Sequence, residues 1–88
     1  MNNSPIVDVI IPAYNEEKSI PKVIAEIPGF VRHIVVANNN SSDQTGVVAK
    51  AAGAKVVFEP QKGYGKACLT AMDWIKAQEI QPDIVVFL

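Results

Sequence analysis

Four short runs rich in Val and Ile recur along the chain with helix-patterned segments between them: Val7 to Ile11 (VDVII), Ile34 to Ala37 (IVVA), Ala54 to Phe58 (AKVVF) and Asp83 to Leu88 (DIVVFL). β-Branched residues bounded by Pro, Gly or Asn favour strands. These runs are too uniformly apolar for a sheet with one wet face, and they read as parallel strands covered on both sides. Between the first two, Ile20, Val23, Ile24 and Ile27 repeat at helical spacing, with Ser19 as N-cap, Pro21 tolerable in the first turn, and Pro28 and Gly29 as the stop. Between the second and third, Val47, Val48, Ala51 and Ala52 form an apolar face capped by Ser42 or Asp43 and ended by Gly53. Ala67, Cys68, Ala71, Met72 and Ile75 form a third face, running to about Gln78. The predicted order is βαβαβαβ. Successive parallel strands need right-handed helical crossovers, so the expected fold is a Rossmann-like α/β domain, and the usual form of doubly wound sheets of this kind gives the expected strand order 3-2-1-4.

Composition narrows the function. With 88 residues, 49% of them hydrophobic, the chain is one domain with a modest core, burying about 60–65% of its unfolded surface. The formal net charge is −1, with Lys and Arg scattered singly, which argues against nucleic acid or an anionic membrane as partner. No apolar run approaches the roughly 20 residues that span a bilayer. The start, MNNSPIVDVI, lacks the basic and apolar segments of a signal peptide, so a cytoplasmic location is expected. Cys68 falls within a helical apolar pattern and reads as core, and His33 has no Cys or second His nearby to make a metal set. Asp8, inside a strand, calls for a partner that the sequence does not identify. In the expected order Ile84 to Leu88 is an edge strand here, which further strands of a full domain would cover; uncovered, with no charge or Pro to blunt it, it predicts self-association through that edge.

Sheets of this kind bind ligands in the crevice beyond the carboxyl ends of their strands. The segments that lie there are PAYNEE (Pro12 to Glu17), NNNSSD (Asn38 to Asp43) and EPQKGYGKA (Glu59 to Ala67), all more polar than turns require. A nucleotide matches them physically. Tyr14 offers a flat face for a base, Asn38 and Asn39 can pair with its edge, and Glu16 can take a ribose hydroxyl. Lys62 or Lys66 can meet a diphosphate, together with the amides of the Gly63–Gly65 turn and the start of the next helix. Each element also has a structural alternative. Ser42 or Asp43 would cap a helix, Glu16 and Glu17 would complement its dipole, Tyr14 and Trp74 would be core aromatics, and the lysines would be solvated. GYGK lacks the spacing of a P-loop, and no GxGxxG follows the first strand.

Taken together, IIPAYNEE after the first strand, NNNSSD and QT after the second, and KGYGKA opening a helix resemble the start of the family-2 glycosyltransferases, which have the GT-A fold; the resemblance runs from Val7 to Leu88. It implies a nucleotide pocket lined by Pro12, Ala13, Tyr14 and Glu16, with Gly63, Gly65, Lys66 and Ala67 near the ribose and diphosphate. Asn38 and Asn39 stand where the family usually has an acidic pair that contacts the base. An ionised Asp only accepts from a base N–H, whereas Asn both donates and accepts, so this departure loosens the choice of base, for which the resemblance implies uracil or guanine. The family's Asp-x-Asp metal motif follows the fourth strand, where this chain stops, and its acceptor-side base lies later still. Residues 1–88 are therefore expected to be the nucleotide-sugar-binding portion, the N-terminal half of a GT-A domain, with no catalytic or metal-ligating residue of their own and no activity alone. Mg²⁺ or Mn²⁺, a UDP or GDP sugar, and a lipid, polysaccharide or protein acceptor are implied for the full-length enzyme. A cell-envelope polysaccharide pathway at the cytoplasmic face of a membrane fits that class. Two alternatives stand beside it. A nucleotidyltransferase would want a Gly-rich, Arg-containing loop where PAYNEE stands, and a non-catalytic nucleotide-binding or interaction module would need no metal motif.

Overall fold

Both faces of the first strand are covered, as a run that is apolar but for Asp8 requires. The computed structural model describes residues 4–88, and β1 (Val7–Ala13) lies inside a four-stranded parallel sheet with β2 (His33–Asn38), β3 (Lys55–Phe58) and β4 (Ile84–Phe87), in the order β3-β2-β1-β4. The crossovers are α1 (Ile20–Ala25), α2 (Thr45–Ala51) and α3 (Tyr64–Lys76). Side chains alternate along β1. Val9, Ile11 and Ala13 pack with Ile20, Ile24, Val36, Ala49 and Ala54 under α1 and α2, while Ile10 packs with Val35, Ala37, Ala67, Ala71 and Ile75 under α3. The Rossmann-like α/β architecture and the 3-2-1-4 order are those expected. Cys68 is buried on the core side of α3, and no helix among the described residues is long and apolar enough to cross a membrane.

β1 runs two residues beyond its expected end, through Pro12, although proline cannot donate to a ladder. Ala13 O accepts the Asn39 N–H at 2.9 Å toward β2, so the neighbouring Pro12 faces the β4 side, beyond Ile10, whose carbonyl takes the Leu88 N–H at 3.0 Å. No β2 hydrogen bond is lost there.

Three expectations about helix faces and caps are corrected. α2 buries Thr45 and Ala49, with Val48 partly covered, whereas Val47 is 64% exposed and Ala51 and Ala52 are also exposed. The helix is turned because its first residue is tied to the loop before α1 and because Gly46 packs tightly on Asn38, with only 2.8 Å between the Asn38 Nδ2 and the place a Cβ would occupy. At its start Gln44 makes no side-chain cap bond; Asp43 Oδ1 accepts the Thr45 N–H at 2.9 Å from one residue further back, and Ser42 takes no part in this. Ser19 does precede α1, but its hydroxyl reaches the Glu16 carbonyl (3.4 Å) instead of a helix amide.

Asp8 has its partner. Its carboxylate is fully buried and accepts from Arg32 Nε (3.1 Å), Arg32 Nη2 (2.8 Å) and the His33 N–H (3.1 Å), with His33 Nδ1 at 3.4 Å. Arg32 Nη1 donates onward to Ile80 O (2.8 Å), and the His33 ring meets Trp74 edge to face at 5.1 Å. Burial pushes the Asp8 pKa up, but the Arg32 and His33 donors outweigh it and hold the group below its ordinary value. This cluster closes the amino-terminal edge of the sheet and leaves the opposite rim to the three polar loops.

Candidate functional site

The rim is built by side chains that bond to backbone across loops. Asn15 (φ 50°) and Asn40 (φ 56°) both adopt the left-handed conformation, which asparagine tolerates better than other non-glycine residues because its short amide bonds locally. Asn15 N–H donates to Ser41 Oγ (2.9 Å), and Asn15 Oδ1 accepts the Ser42 N–H (2.8 Å). Glu16 N–H donates to Thr45 Oγ1 (2.8 Å) and Glu17 N–H to Asp43 Oδ2 (3.3 Å). These four bonds sew the loop after β1 to the loop after β2. The second loop is sewn to the third by Asn39 Nδ2, which donates to Glu59 O (3.1 Å) and Gln61 O (2.8 Å), by Gly63 N–H to Asn39 Oδ1 (2.9 Å), and by Asn40 Nδ2 to Pro60 O (3.3 Å). Lys62 closes the circle: its Nζ donates to the Tyr14 hydroxyl (2.8 Å) and sits 4.0 Å from the Tyr14 ring centroid.

Within this frame Pro12, Ala13, Tyr14, Glu16, Asn39 and Tyr64 line a cleft of about 210 Å³. Five of these six were predicted from sequence. Tyr64 was not, although its place directly after Gly63 on the opening turn of α3 was a usable signal. Asn38 is not among the lining residues: its Oδ1 accepts the Ser41 N–H (3.2 Å) and its Nδ2 lies against Gly46. Gly63, Gly65 and Lys66 form the exposed start of α3 beside the cleft. Gly63 has φ 141°, which glycine alone adopts freely. A larger cavity, about 620 Å³, lies at the other edge of the sheet between Pro5, Val7, Phe30 and Arg32. It is walled mainly by apolar groups at the strands' amino ends, away from the convergent polar loops, so the smaller cleft is the better site.

Asn39 is 7% exposed, and both hydrogens of its amide are engaged by carbonyls of the chain. Toward a ligand it therefore presents only a remaining lone pair on Oδ1, which makes it an acceptor there, as a carboxylate would be. The two rim carboxylates with shifted pKa values are also engaged. For Asp43, burial raises the pKa, but the Thr45 hydroxyl and the Thr45 and Glu17 amides outweigh it and the net shift is downward. For Glu59, which is buried, the Thr70 hydroxyl and the Gln61 N–H lower the pKa against desolvation, with help from the Lys66 charge. Both are anionic at neutral pH and occupied by protein donors, so neither is a free general base. Tyr64 is shifted upward by Cys68 one turn along α3. Among the described residues no three His, Cys, Asp or Glu side chains gather to hold a metal ion. The rim thus offers an exposed cation over an aromatic ring, an acceptor, a carboxylate at Glu16, and a glycine turn opening a helix.

The profile of the family described as glycosyl transferase family 2 matches residues 8–88. An uncharacterized glycosyltransferase of Mycobacterium tuberculosis is 52% identical over 61 residues, which are 69% of this chain and 28% of that protein. A glucosyl-3-phosphoglycerate synthase of Mycolicibacterium smegmatis is 33% identical over 94 residues, 93% of this chain and 29% of that protein. The crystal structure of the M. tuberculosis synthase, in complex with Mn²⁺, UDP and phosphoglyceric acid, superimposes with a TM-score of 0.77 at 30% identity, covering 97% of this chain and 32% of that one. The chain thus spans about a third or less of the length of these relatives.

Proposed function

The chain belongs to glycosyl transferase family 2, and on that premise we propose that residues 1–88 are the donor-nucleotide-binding portion of an enzyme that moves a sugar from a nucleoside diphosphate to an acceptor hydroxyl. The observation that carries this reading is the convergence of three loops on one cleft, with Tyr14, Glu16, Asn39 and Tyr64 at its walls and the Gly63–Lys66 turn beside it. In this reading a base lies against Tyr14, Glu16 takes a ribose hydroxyl, and Lys66 with the Gly63 and Gly65 turn faces the diphosphate. Asn39, acting as acceptor, favours a base that carries an N–H on its pairing edge. Uracil (N3–H) and guanine (N1–H) carry one on the ring itself, at the centre of that edge; the ring N3 of cytosine is an acceptor, and only its exocyclic amino group donates. UDP in the synthase relative's structure is consistent with this choice.

That relative also carries Mn²⁺. The described residues here do not supply a metal site, so a divalent cation is proposed for the whole enzyme only, and no step is derived through it. The acceptor is proposed as a lipid, polysaccharide or protein hydroxyl, or a small phosphorylated acid as in the synthase relatives, with the enzyme working at the cytoplasmic face of a membrane. At the sheet edge Ile84, Val86, Phe87 and Leu88 are 38–55% exposed, a surface that further strands of the whole domain, or a second copy of this chain, would cover.

Amide-shift mapping with UDP, GDP and CDP tests the nucleotide assignment. UDP or GDP is expected to move Tyr14, Glu16, Asn39 and Gly63 to Lys66, with CDP weaker than both. Shifts gathered instead around Ile6, Phe30 and Arg32, or no response to any of the three, would overturn it.

A further inference from the structure

Thr45 and Asp43 do not line the cleft, yet together they fix its carboxylate-bearing loop. Thr45 is completely buried. Its hydroxyl has one hydrogen, which goes to Asp43 Oδ1, and its lone pairs face the Glu16 N–H at 2.8 Å. The other Asp43 oxygen takes the Glu17 N–H at 3.3 Å, while Oδ1 also takes the Thr45 N–H at 2.9 Å. One carboxylate and one hydroxyl thus hold two consecutive amides of the β1–α1 loop to the first turn of α2. The same loop continues into α1, because Glu16 O accepts the Ser19 and Ile20 amides at 3.1 and 2.9 Å.

We propose that Asp43 and Thr45 are positioning residues for the cleft, setting nucleotide affinity by fixing Glu16 without touching the ligand. The proposal rests on the nucleotide reading above. Its physical basis is preorganisation. A loop held in its binding conformation before the ligand arrives does not have to be ordered on binding. Water cannot replace the Thr45 hydroxyl at a fully buried site, so removing it leaves the Glu16 N–H without an acceptor and frees the loop to move. The carboxylate strengthens the arrangement by orienting and polarising the hydroxyl toward Glu16.

The experiment compares wild type, Thr45→Val, Thr45→Ser and Asp43→Asn, with Ile75→Val as a core variant remote from the rim. It measures amide exchange at Glu16 and Glu17, UDP affinity and thermal stability. Thr45→Val, which keeps the shape and loses the hydroxyl, is expected to speed Glu16 exchange and weaken UDP binding about tenfold, the equivalent of one hydrogen bond. Thr45→Ser should stay near wild type, and Ile75→Val should lower stability without weakening UDP. If Thr45→Val does not fold, Asp43→Asn serves, since its amide nitrogen cannot accept the Glu17 N–H; Glu17 exchange should rise and affinity fall. Wild-type affinity in whichever of these variants folds, or equal affinity losses in Thr45→Val and Ile75→Val, would overturn the proposal. If wild type binds no nucleoside diphosphate, the nucleotide reading fails on its own. The exchange rates then decide the positioning claim, and unchanged Glu16 and Glu17 exchange overturns it.

Discussion

Replacing Asp8 by Asn changes one buried charge and almost no volume, which makes it a sensitive probe of how the amino-terminal edge of the sheet is held. The wild-type carboxylate takes two Arg32 donors at 3.1 and 2.8 Å and the His33 N–H at 3.1 Å. An asparagine keeps one acceptor oxygen and turns an NH₂ group toward donors. Removing one charge of a buried pair costs about 3–5 kcal/mol. Here the Arg32 side chain is 26% exposed and can turn to water, so about 2–3 kcal/mol is expected for Asp8→Asn at neutral pH. Against roughly 4–13 kcal/mol of total stability for a chain of this length, that is a large loss, lowering the melting temperature by about 10–15 °C. The pH dependence gives the sharper check. The folded pKa of Asp8 is depressed, so its stabilisation is fully present above the unfolded carboxyl value and is lost as pH falls through the folded value. Asn does not titrate. The gap between wild type and Asp8→Asn should therefore be fully present at neutral pH and close as the solution is acidified below the ordinary carboxyl range, as read by urea denaturation at each pH. Equal stabilities at pH 7, or a gap that does not narrow on acidification, would refute the argument that the carboxylate charge holds this edge.

Gly63→Ala should destabilise the fold by about 1–3 kcal/mol, because φ 141° is strained for any residue with a Cβ; urea denaturation measures it, and a neutral change would show that the turn relaxes freely. Gly46→Ala should fail to deliver the roughly 1 kcal/mol that alanine normally gains over glycine in a helix, since the new Cβ would meet Asn38 Nδ2 at 2.8 Å and disturb its bond to the Ser41 amide. Adding Asn38→Ala should recover part of that gain in the same measurement. Self-association through β4 predicts a dimer by light scattering that Val86→Lys converts to monomer; a monomer at high concentration in the unaltered chain would count against it.

The order of elements, the parallel sheet and the rim where loops gather were legible in the sequence from short-range pattern, and the 3-2-1-4 order from the usual form of doubly wound sheets. β-Branched runs, helical spacing and the handedness of crossovers are properties of neighbouring residues. The segments PAYNEE, NNNSSD and KGYGKA could be assigned to one edge on that ground, with Tyr14, Glu16 and Asn39 as candidates among them, while Pro12 and Ala13 were singled out, and Glu16 favoured, only by the resemblance to the family. Which atoms of those segments face a ligand was decided only by tertiary contacts. An asparagine amide can bond a ligand or a loop with equal facility, and Asn39 is turned by the Glu59 and Gln61 carbonyls, 20 and 22 residues away in the chain. Asn38 is turned by Gly46 and Ser41, and the α2 face by Thr45 bonding to Glu16, 29 residues earlier. Asp8 looked unpartnered because the arginine that pairs with it lies 24 residues on, beyond a helix. A polar side chain has no period to announce its direction; it turns to whichever partner the fold brings within about 3 Å.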